Sequence, residues 1–133
     1  MALYVTDTHP LIWYGSRNPK LSKTALRIFN RAERGEALIY IPAMILLECG
    51  ILARMGWIRL KDRFAFWATA LLSQPGFEYV PLEAEVVTAA VDLQIINDPF
   101  DLSAIATAFR LKGLPLITAD QEIIDSKLVE IVW

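Results

Sequence analysis

The stretch ALYVTDTHPLIWYG, residues 2–15, contains the alternation that decides the fold. Its apolar beginning, Ala2–Thr6, predicts a buried strand. Asp7 or Thr8 can cap the helix that follows, and Pro10 is tolerated in the first turn of that helix. A strand followed directly by a helix is the first half of a strand–helix–strand unit, which is typical of parallel α/β sheets.

The same alternation continues to the last residue. Further strands are predicted at residues 38–41, 77–80, 114–118 and 128–133. Helices are predicted between them, at about 22–34, 42–55, 61–73, 83–93, 101–111 and 121–125. No linker or internal repeat interrupts the pattern. We therefore expect residues 1–133 to form one α/β domain with a central parallel sheet of four to five strands and helices on both faces.

The composition restricts the chemistry that is available to this domain. The 133 residues are 55% hydrophobic and include one cysteine, Cys49, and one histidine, His9. An internal disulfide and a Cys/His zinc cluster are therefore excluded. The hydrophobic fraction excludes disorder, and it suggests surplus apolar surface for a partner or a second copy.

Membrane and export signals are not expected in this sequence. The longest apolar stretch covers residues 37–53 and is interrupted by Pro42, Glu48 and Gly50. A membrane-spanning helix needs about 20 predominantly apolar residues. The N-terminus has no charged leader, so we expect a cytoplasmic protein without membrane contact.

The charged side chains are unevenly distributed. Residues 1–66 carry a net charge of +5, and residues 67–133 carry a net charge of −7. Five basic residues recur at helical spacing and form a basic stripe: Lys20, Lys23, Arg27, Arg31 and Arg34. Such a stripe can contact successive phosphates, and Lys23, Arg27 and Arg31 are its candidate substrate contacts. A solvated helix face is the alternative.

Carboxylates occur where an α/β sheet places its functional crevice, outside the carboxyl ends of the strands. Asp7 and Asp120 each follow a predicted strand, and Asp98 and Asp101 lie at the start of a predicted helix. Each of these aspartates is also a candidate helix cap.

Glu48 lies in LIYIPAMILLECGILA, residues 38–53, within a helix that is apolar on nearly all sides. We expect such a helix to be buried. A buried carboxylate is normally paired, neutralised or bound to a metal. Arg54 is six residues further on, outside the favoured ion-pair spacing of three or four residues. An all-oxygen ligand set favours Mg²⁺ or Mn²⁺, the cations that support phosphodiester cleavage.

Four motifs in order give the sequence a family resemblance. They are YVTDTHPLIWY (residues 4–14), IPAMILLECGILARMGWI (41–58), DPFDLSAIATA (98–108) and GLPLITAD (113–120), and the chain ends in VEIVW. This sequence resembles PIN-domain ribonucleases, specifically the VapC-type toxins of bacterial and archaeal toxin–antitoxin pairs.

The resemblance implies a metal-dependent endoribonuclease that hydrolyses RNA phosphodiester bonds, the toxin of a type II toxin–antitoxin system. It implies a catalytic and metal-binding set that consists of Asp7, Glu48, Asp101 and Asp120. Asp98 would contribute to the metal site, and Thr118 would orient a ligand or phosphate. Mg²⁺ or Mn²⁺ is the implied cofactor, and a homodimer masked by an antitoxin is the implied assembly.

One departure from the family pattern keeps an alternative open. Close relatives often carry Arg after the second aspartate of DPFD, where this chain has Leu102. The alternative is a weakened or inactive PIN-like domain that binds a partner. A haloacid-dehalogenase-type phosphatase is disfavoured because its motif needs an acid two residues after the first aspartate, where this chain has His9.

Overall fold

One parallel sheet contains all five strands of the protein. The computed structural model describes residues 1–133. Its strands are β1 (Ala2–Thr6), β2 (Ala37–Pro42), β3 (Phe77–Val80), β4 (Leu116–Ile117) and β5 (Ile131–Val132). Their order in the sheet is β3-β2-β1-β4-β5, and every neighbouring pair is parallel. The predicted α/β fold with a parallel sheet of four to five strands is confirmed.

Seven helices connect or flank the strands. They are α1 (Thr8–Gly15), α2 (Lys23–Glu33), α3 (Ala43–Arg54), α4 (Phe64–Leu72), α5 (Ala84–Asp92), α6 (Pro99–Arg110) and α7 (Gln121–Ser126). The hydroxyl of Ser22 caps α2 by accepting a hydrogen bond from the backbone N–H of Ala25 at 3.0 Å. Helix α4 begins three residues later than predicted, because the backbone of Arg63 is extended. None of the seven helices has the length and apolarity needed to cross a bilayer.

The strand order fixes the position of the functional crevice. The chain passes from β1 to β2 to β3 and then returns to the other side of β1 as β4. Helix α2 packs on β2, while α6 packs on β1, β2 and β4. Because such crossovers are right-handed, the reversal places α2 and α6 on opposite faces of the sheet. The reversal occurs between β1 and β4, and a crevice forms there at the carboxyl ends of the strands.

The core under α2 explains why its basic stripe faces solvent. Phe29 is fully buried and stacks on Tyr14 at 4.7 Å and on Phe77 at 6.1 Å between ring centroids. A Cβ atom at Gly76 would lie 1.9 Å from the backbone oxygen of Ala32, so the helix rests directly on the backbone at the start of β3. The apolar side of α2 is therefore held against the sheet, and its cations point outward.

Helix α3 is less buried than its sequence predicts. Only Ile45 and Cys49 of this helix are fully buried, and Leu47 is 50% exposed. Trp57, in the loop after α3, and Phe66, on α4, are 72% and 62% exposed. The expectation of a helix buried on all sides was wrong because an apolar side chain can equally lie on uncovered surface, where it is available to a partner.

Candidate metal centre

Asp7 and Thr118 meet across the central strand pair. The register of β1 and β4 pairs Thr6 with Ile117, so the next residues, Asp7 and Thr118, leave the sheet side by side. The hydroxyl of Thr118 donates a hydrogen bond to Oδ2 of Asp7 at 2.7 Å, and the backbone N–H of Thr8 donates to Oδ1 at 2.8 Å. Both oxygens of this buried carboxylate are thereby oriented.

Glu48 reaches the same place from the neighbouring helix. The hydroxyl of Thr8 donates a short hydrogen bond to Oε1 of Glu48. Thr8 therefore links α1 to α3, and it places Glu48 beside Asp7. The side chain of Glu48 is only partly buried, because α3 packs against the rest of the protein on one side and is open to solvent on the other.

Asp98 and Asp101 come from the N-terminus of α6. This helix runs antiparallel to the strands it packs on, so its first turn lies at their carboxyl ends. Oδ1 of Asp98 accepts hydrogen bonds from the backbone N–H groups of Phe100 and Asp101 at 2.9 and 3.0 Å. The cap uses one oxygen and leaves Oδ2 free for a ligand. Capping and ligand binding are therefore compatible at Asp98.

Asp120 follows the same pattern at the end of β4. Its Oδ1 accepts from the backbone N–H of Ile123 at 3.1 Å and caps α7. Its own backbone N–H donates to the hydroxyl of Thr118 at 3.0 Å. One carboxylate oxygen from each of Asp101, Asp120 and Glu122 lies within 4.8 Å of the others. Glu122, in the first turn of α7, is an additional candidate ligand that the sequence analysis did not identify.

The carboxylates repel one another, and Asp101 lies at their centre. Burial and the neighbouring charges of Asp7, Asp98, Asp120 and Glu48 raise the pKa of Asp101 to about 8. Burial also raises the pKa of Asp7, although hydrogen bonds from Thr118 and Thr8 oppose that shift. Burial likewise raises the pKa of Glu48. All four of the other sequence-predicted acids thus act on the charge of Asp101. Of the five, however, only Asp101 and Asp120 belong, with Glu122, to the group whose carboxylate oxygens all lie within 4.8 Å of one another. Asp98 and Asp120 are exposed to solvent.

No lysine or arginine neutralises this cluster. The only salt bridge of the protein joins Arg34 to Glu36. These residues follow the C-terminus of α2, which is the end of the helix farther from the carboxyl ends of the strands. His9 is the only positively chargeable group that acts on Asp7 and Glu48. Clustered, uncompensated carboxylates form an all-oxygen donor set, which fits a hard divalent cation such as Mg²⁺ or Mn²⁺.

The basic stripe on α2 does not converge on the acids. Lys23 and Arg27 are exposed, and the guanidinium of Arg31 donates to the backbone oxygen of Glu36 at 3.4 Å. Glu36 directly precedes β2, so Arg31 lies near the amino ends of the strands, opposite the carboxylates. Lys20 and Lys23 form the end of the stripe that is nearer the carboxyl ends of the strands, because α2 begins at Lys23 and ends near the amino end of β2.

Leu102, the departure from the family pattern, has a structural role. Its side chain is partly buried and packs against the hydrophobic core. The position therefore contributes to packing of α6 and supplies no cation next to Asp101.

The comparisons with known proteins identify the family. The family model described as "PIN domain" matches residues 4–127. The chain belongs to the PIN domain family. No curated protein matches the sequence.

Solved structures share the fold of this PIN domain. VapBC2 from Rickettsia felis, bound to a DNA fragment from its promoter, aligns with a TM-score of 0.70 at 14% identity, over 98% of this chain and 97% of that chain. The sarcin–ricin loop cleaving toxin VapC20 from Mycobacterium tuberculosis gives 0.67 at 19% identity, over 96% and 97%. A toxin–antitoxin complex from Klebsiella pneumoniae gives 0.64 at 20% identity, over 100% and 97%. At these identities the similarity establishes the fold.

Replacing Thr118 with Val should weaken metal binding at the candidate centre of this PIN domain without unfolding it. The substitution keeps the side-chain volume but removes the hydroxyl that bridges Asp7 and the backbone of Asp120. Loss of such an outer hydrogen bond typically reduces metal affinity 10- to 100-fold. Isothermal titration with Mn²⁺ measures this effect, and Thr118→Ser, which keeps the hydroxyl, is the control. Equal affinity in the Val and Ser variants would contradict the expected role.

Proposed function

We propose that this PIN domain is a Mg²⁺- or Mn²⁺-dependent endoribonuclease and the toxin of a type II toxin–antitoxin pair that acts in the cytoplasm. The observation that carries the proposal is the convergence of five carboxylates without a compensating lysine or arginine. For the buried Asp7 and the partly buried Asp101, the negative charge is costly, and a bound cation would offset that cost. The VapC fold neighbours support the assignment to toxins.

The catalytic roles follow from how each carboxylate is held. Asp7, Glu48, Asp101 and Asp120 would bind the cation, and Asp98 would add an oxygen from the cap of α6. When bound, the cation would polarise the scissile phosphate and lower the pKa of the attacking water. Thr118 and Thr8 fix the orientation of Asp7, so this ligand needs little reorganisation before reaction. A carboxylate of the cluster with a raised pKa would accept the proton of that water.

The test is cleavage of single-stranded RNA by the purified protein. We expect cleavage with Mg²⁺ or Mn²⁺ that leaves 5′-phosphate and 3′-hydroxyl ends, and no cleavage in EDTA. Removing a residue that only hydrogen-bonds to a metal ligand reduces metal affinity or activity by about 10- to 100-fold. Asp7→Asn changes a proposed ligand itself and should therefore slow cleavage by more than about 100-fold. Asp92→Asn, at the exposed end of α5, is the control. Equal cleavage in EDTA, or full activity of Asp7→Asn, would disprove the proposal.

A weakened or inactive domain that binds a partner is the second candidate, and Leu102 favours it. Absence of cleavage for every RNA tested, together with no change in Tm on adding Mg²⁺ or Mn²⁺, would support this candidate. Mg²⁺-dependent cleavage that is lost in Asp120→Ala would exclude it.

The partners that we propose are a second copy of the chain and an antitoxin protein. Exposed apolar side chains on and after α3 and on α4 support a protein interface, among them Leu47, Trp57 and Phe66. A pocket between α1, α2 and α4, lined by apolar residues such as Leu71 and by polar residues such as Glu33, is a second surface for a partner. Light scattering of the protein alone and with a co-expressed neighbouring gene product measures both assemblies.

A further inference from the structure

A cavity at the end of α1 is lined by three basic side chains. Arg17 follows α1, and Arg59 and Lys61 belong to the segment that leads into α4. The cavity has a volume of about 620 Å³, and Gly15 and Trp67 also line it. No aspartate or glutamate is among its lining residues. The cavity therefore combines three positive charges with no negative one.

A close contact between α1 and α4 brings the two segments together. A Cβ atom at Gly15 would lie 3.2 Å from Nε1 of Trp67, so the indole rests against the last residue of α1. The chain then turns at Arg17, whose φ of 55° is a left-handed conformation that is uncommon outside glycine. The backbone N–H of Arg17 donates to the carbonyl oxygen of Tyr14 at 3.2 Å. The packing of α4 on α1 thus places Arg17 beside the basic segment.

The three cations have no anionic partner in the protein. None of them takes part in a salt bridge, because the only salt bridge joins Arg34 to Glu36. Glu33 lines the neighbouring pocket together with Arg17, but its carboxylate accepts a hydrogen bond from the hydroxyl of Tyr14 at 2.6 Å. The last carbonyl groups of α1 accept from the backbone N–H groups of residues 16–18. The basic side chains are therefore available to a ligand.

This basic cavity is separate from the candidate metal centre. Helix α1 begins at Thr8, which contacts Glu48, and ends at Gly15, which lines the cavity. At a rise of about 1.5 Å per residue, the two ends of this helix are about 10 Å apart. None of the five proposed acidic ligands lines the cavity.

We propose that Arg17, Arg59 and Lys61 bind the terminal phosphate of a nucleotide. A terminal phosphate carries about 1.5 to 2 negative charges and three acceptor oxygens, so it offers one oxygen to each of the three cations. A phosphate within a nucleic acid backbone carries a single charge and suits this cavity less well. The planar guanidinium groups of the two arginines match phosphate oxygens in geometry. The volume of the cavity leaves room for the nucleoside to which the phosphate is attached.

The same chemical group occurs in two sources, a free 5′-nucleotide and the 5′-phosphorylated end of an RNA strand. Both present a terminal phosphate on a ribose, and the experiment distinguishes them. The proposal goes beyond the ribonuclease function and does not depend on it, because binding is measured without cleavage.

The experiment measures binding in EDTA, so that no phosphate can bind through a divalent cation at the carboxylates. Isothermal titration compares adenosine 5′-monophosphate with adenosine. Fluorescence anisotropy compares a short RNA that has a 5′-phosphate with the same RNA that has a 5′-hydroxyl, each labelled with fluorescein at its 3′ end. We expect the terminal phosphate to lower the Kd roughly tenfold in at least one of the two comparisons. A preference in the first comparison identifies a free nucleotide, and a preference in the second comparison alone identifies an RNA end.

Two variants test the cavity itself. Arg59→Gln and Lys61→Gln each remove one cation, and each should raise the Kd for the phosphorylated ligand roughly 5- to 20-fold. The Kd for the ligand without a terminal phosphate should change much less. Arg110→Gln is the matched control, because Arg110 is exposed in the last turn of α6 and does not line the cavity. The side chains of Arg59 and Lys61 are exposed, and far-ultraviolet circular dichroism and Tm establish that each variant is folded.

Three results would overturn the proposal. They are the absence of any preference for a terminal phosphate, a preference that persists in Arg59→Gln and Lys61→Gln, and an equal loss of affinity in Arg110→Gln. If a glutamate-rich peptide binds to the cavity and neither phosphorylated ligand does, the cavity belongs to a protein interface and the proposal is wrong. Each of these results leaves the ribonuclease proposal intact, because that proposal is tested by metal-dependent cleavage.

Discussion

Replacing Asp101 with Asn is expected to stabilise the metal-free protein and to remove the proposed ribonuclease activity. Burial and four neighbouring carboxylates raise the pKa of Asp101 to about 8, from an ordinary value of 3.8. The unfolded chain therefore loses the Asp101 proton at lower pH than the folded protein does. The stability of the folded state consequently decreases as the pH rises from about 4 to about 8. An amide removes this penalty.

The expected gain is a rise of roughly 3–10 °C in Tm near pH 8, which shrinks toward zero near pH 4. Cleavage should fall by more than about 100-fold, because a candidate ligand is lost. Thermal unfolding in EDTA and RNA cleavage in Mn²⁺ measure the two effects on one preparation. Asp92→Asn is the matched control, since this exposed aspartate lies outside the cluster. A lower Tm for Asp101→Asn near pH 8 would contradict the electrostatic explanation.

Adding Mn²⁺ to the metal-free protein is expected to raise its Tm strongly, and to do so only above acidic pH. A ligand at 100 times its Kd stabilises the folded state by about 2.7 kcal/mol, which corresponds to roughly 10 °C for a chain of this size. Binding must displace the proton of Asp101, whose pKa is about 8. The apparent affinity should therefore decrease about tenfold per pH unit below that value.

Calorimetric titrations between about pH 6 and about pH 8.5 measure this slope, and the buffer dependence of the heat reports the released proton. In Asp101→Asn both the affinity and the proton release should decrease. If the affinity for Mn²⁺ does not change with pH, then Mn²⁺ does not compete with the proton of Asp101, and the prediction is wrong. Mg²⁺ should give the same slope with weaker binding, as the general order of divalent affinities predicts.

Much of the fold and most of the acidic cluster could be predicted because their signals are local. Asp7 and Asp120 directly follow apolar strands, and Asp98 directly precedes Pro99 at a helix start. Their positions at the carboxyl edge follow from the α/β architecture. Glu48 was singled out because it interrupts an apolar helix, and the resemblance to PIN domains then assigned it to the metal-binding set. Its contact with Thr8 joins residues that are distant in sequence.

What the sequence could not give depends on packing between elements. Strand β4 begins at Leu116, two residues later than predicted, because Pro115 has no N–H to donate to a neighbouring strand. Glu122 has a local signal, since it lies in the first turn of the helix that Asp120 caps, but only the geometry brings it to Asp101. The apolar pattern of α3 could not distinguish a buried face from an exposed one.

The bond between Thr118 and Asp7 has a consequence for protein synthesis. The two residues are separated by 111 positions, and the strand that carries Thr118 is among the last to be made. A ribosome adds about 5–20 residues per second, and sheet pairing over such a separation is slow. The growing chain therefore carries its first aspartate for seconds before that aspartate has a partner. The acidic cluster is therefore complete only after β4 has been synthesised and has paired with β1.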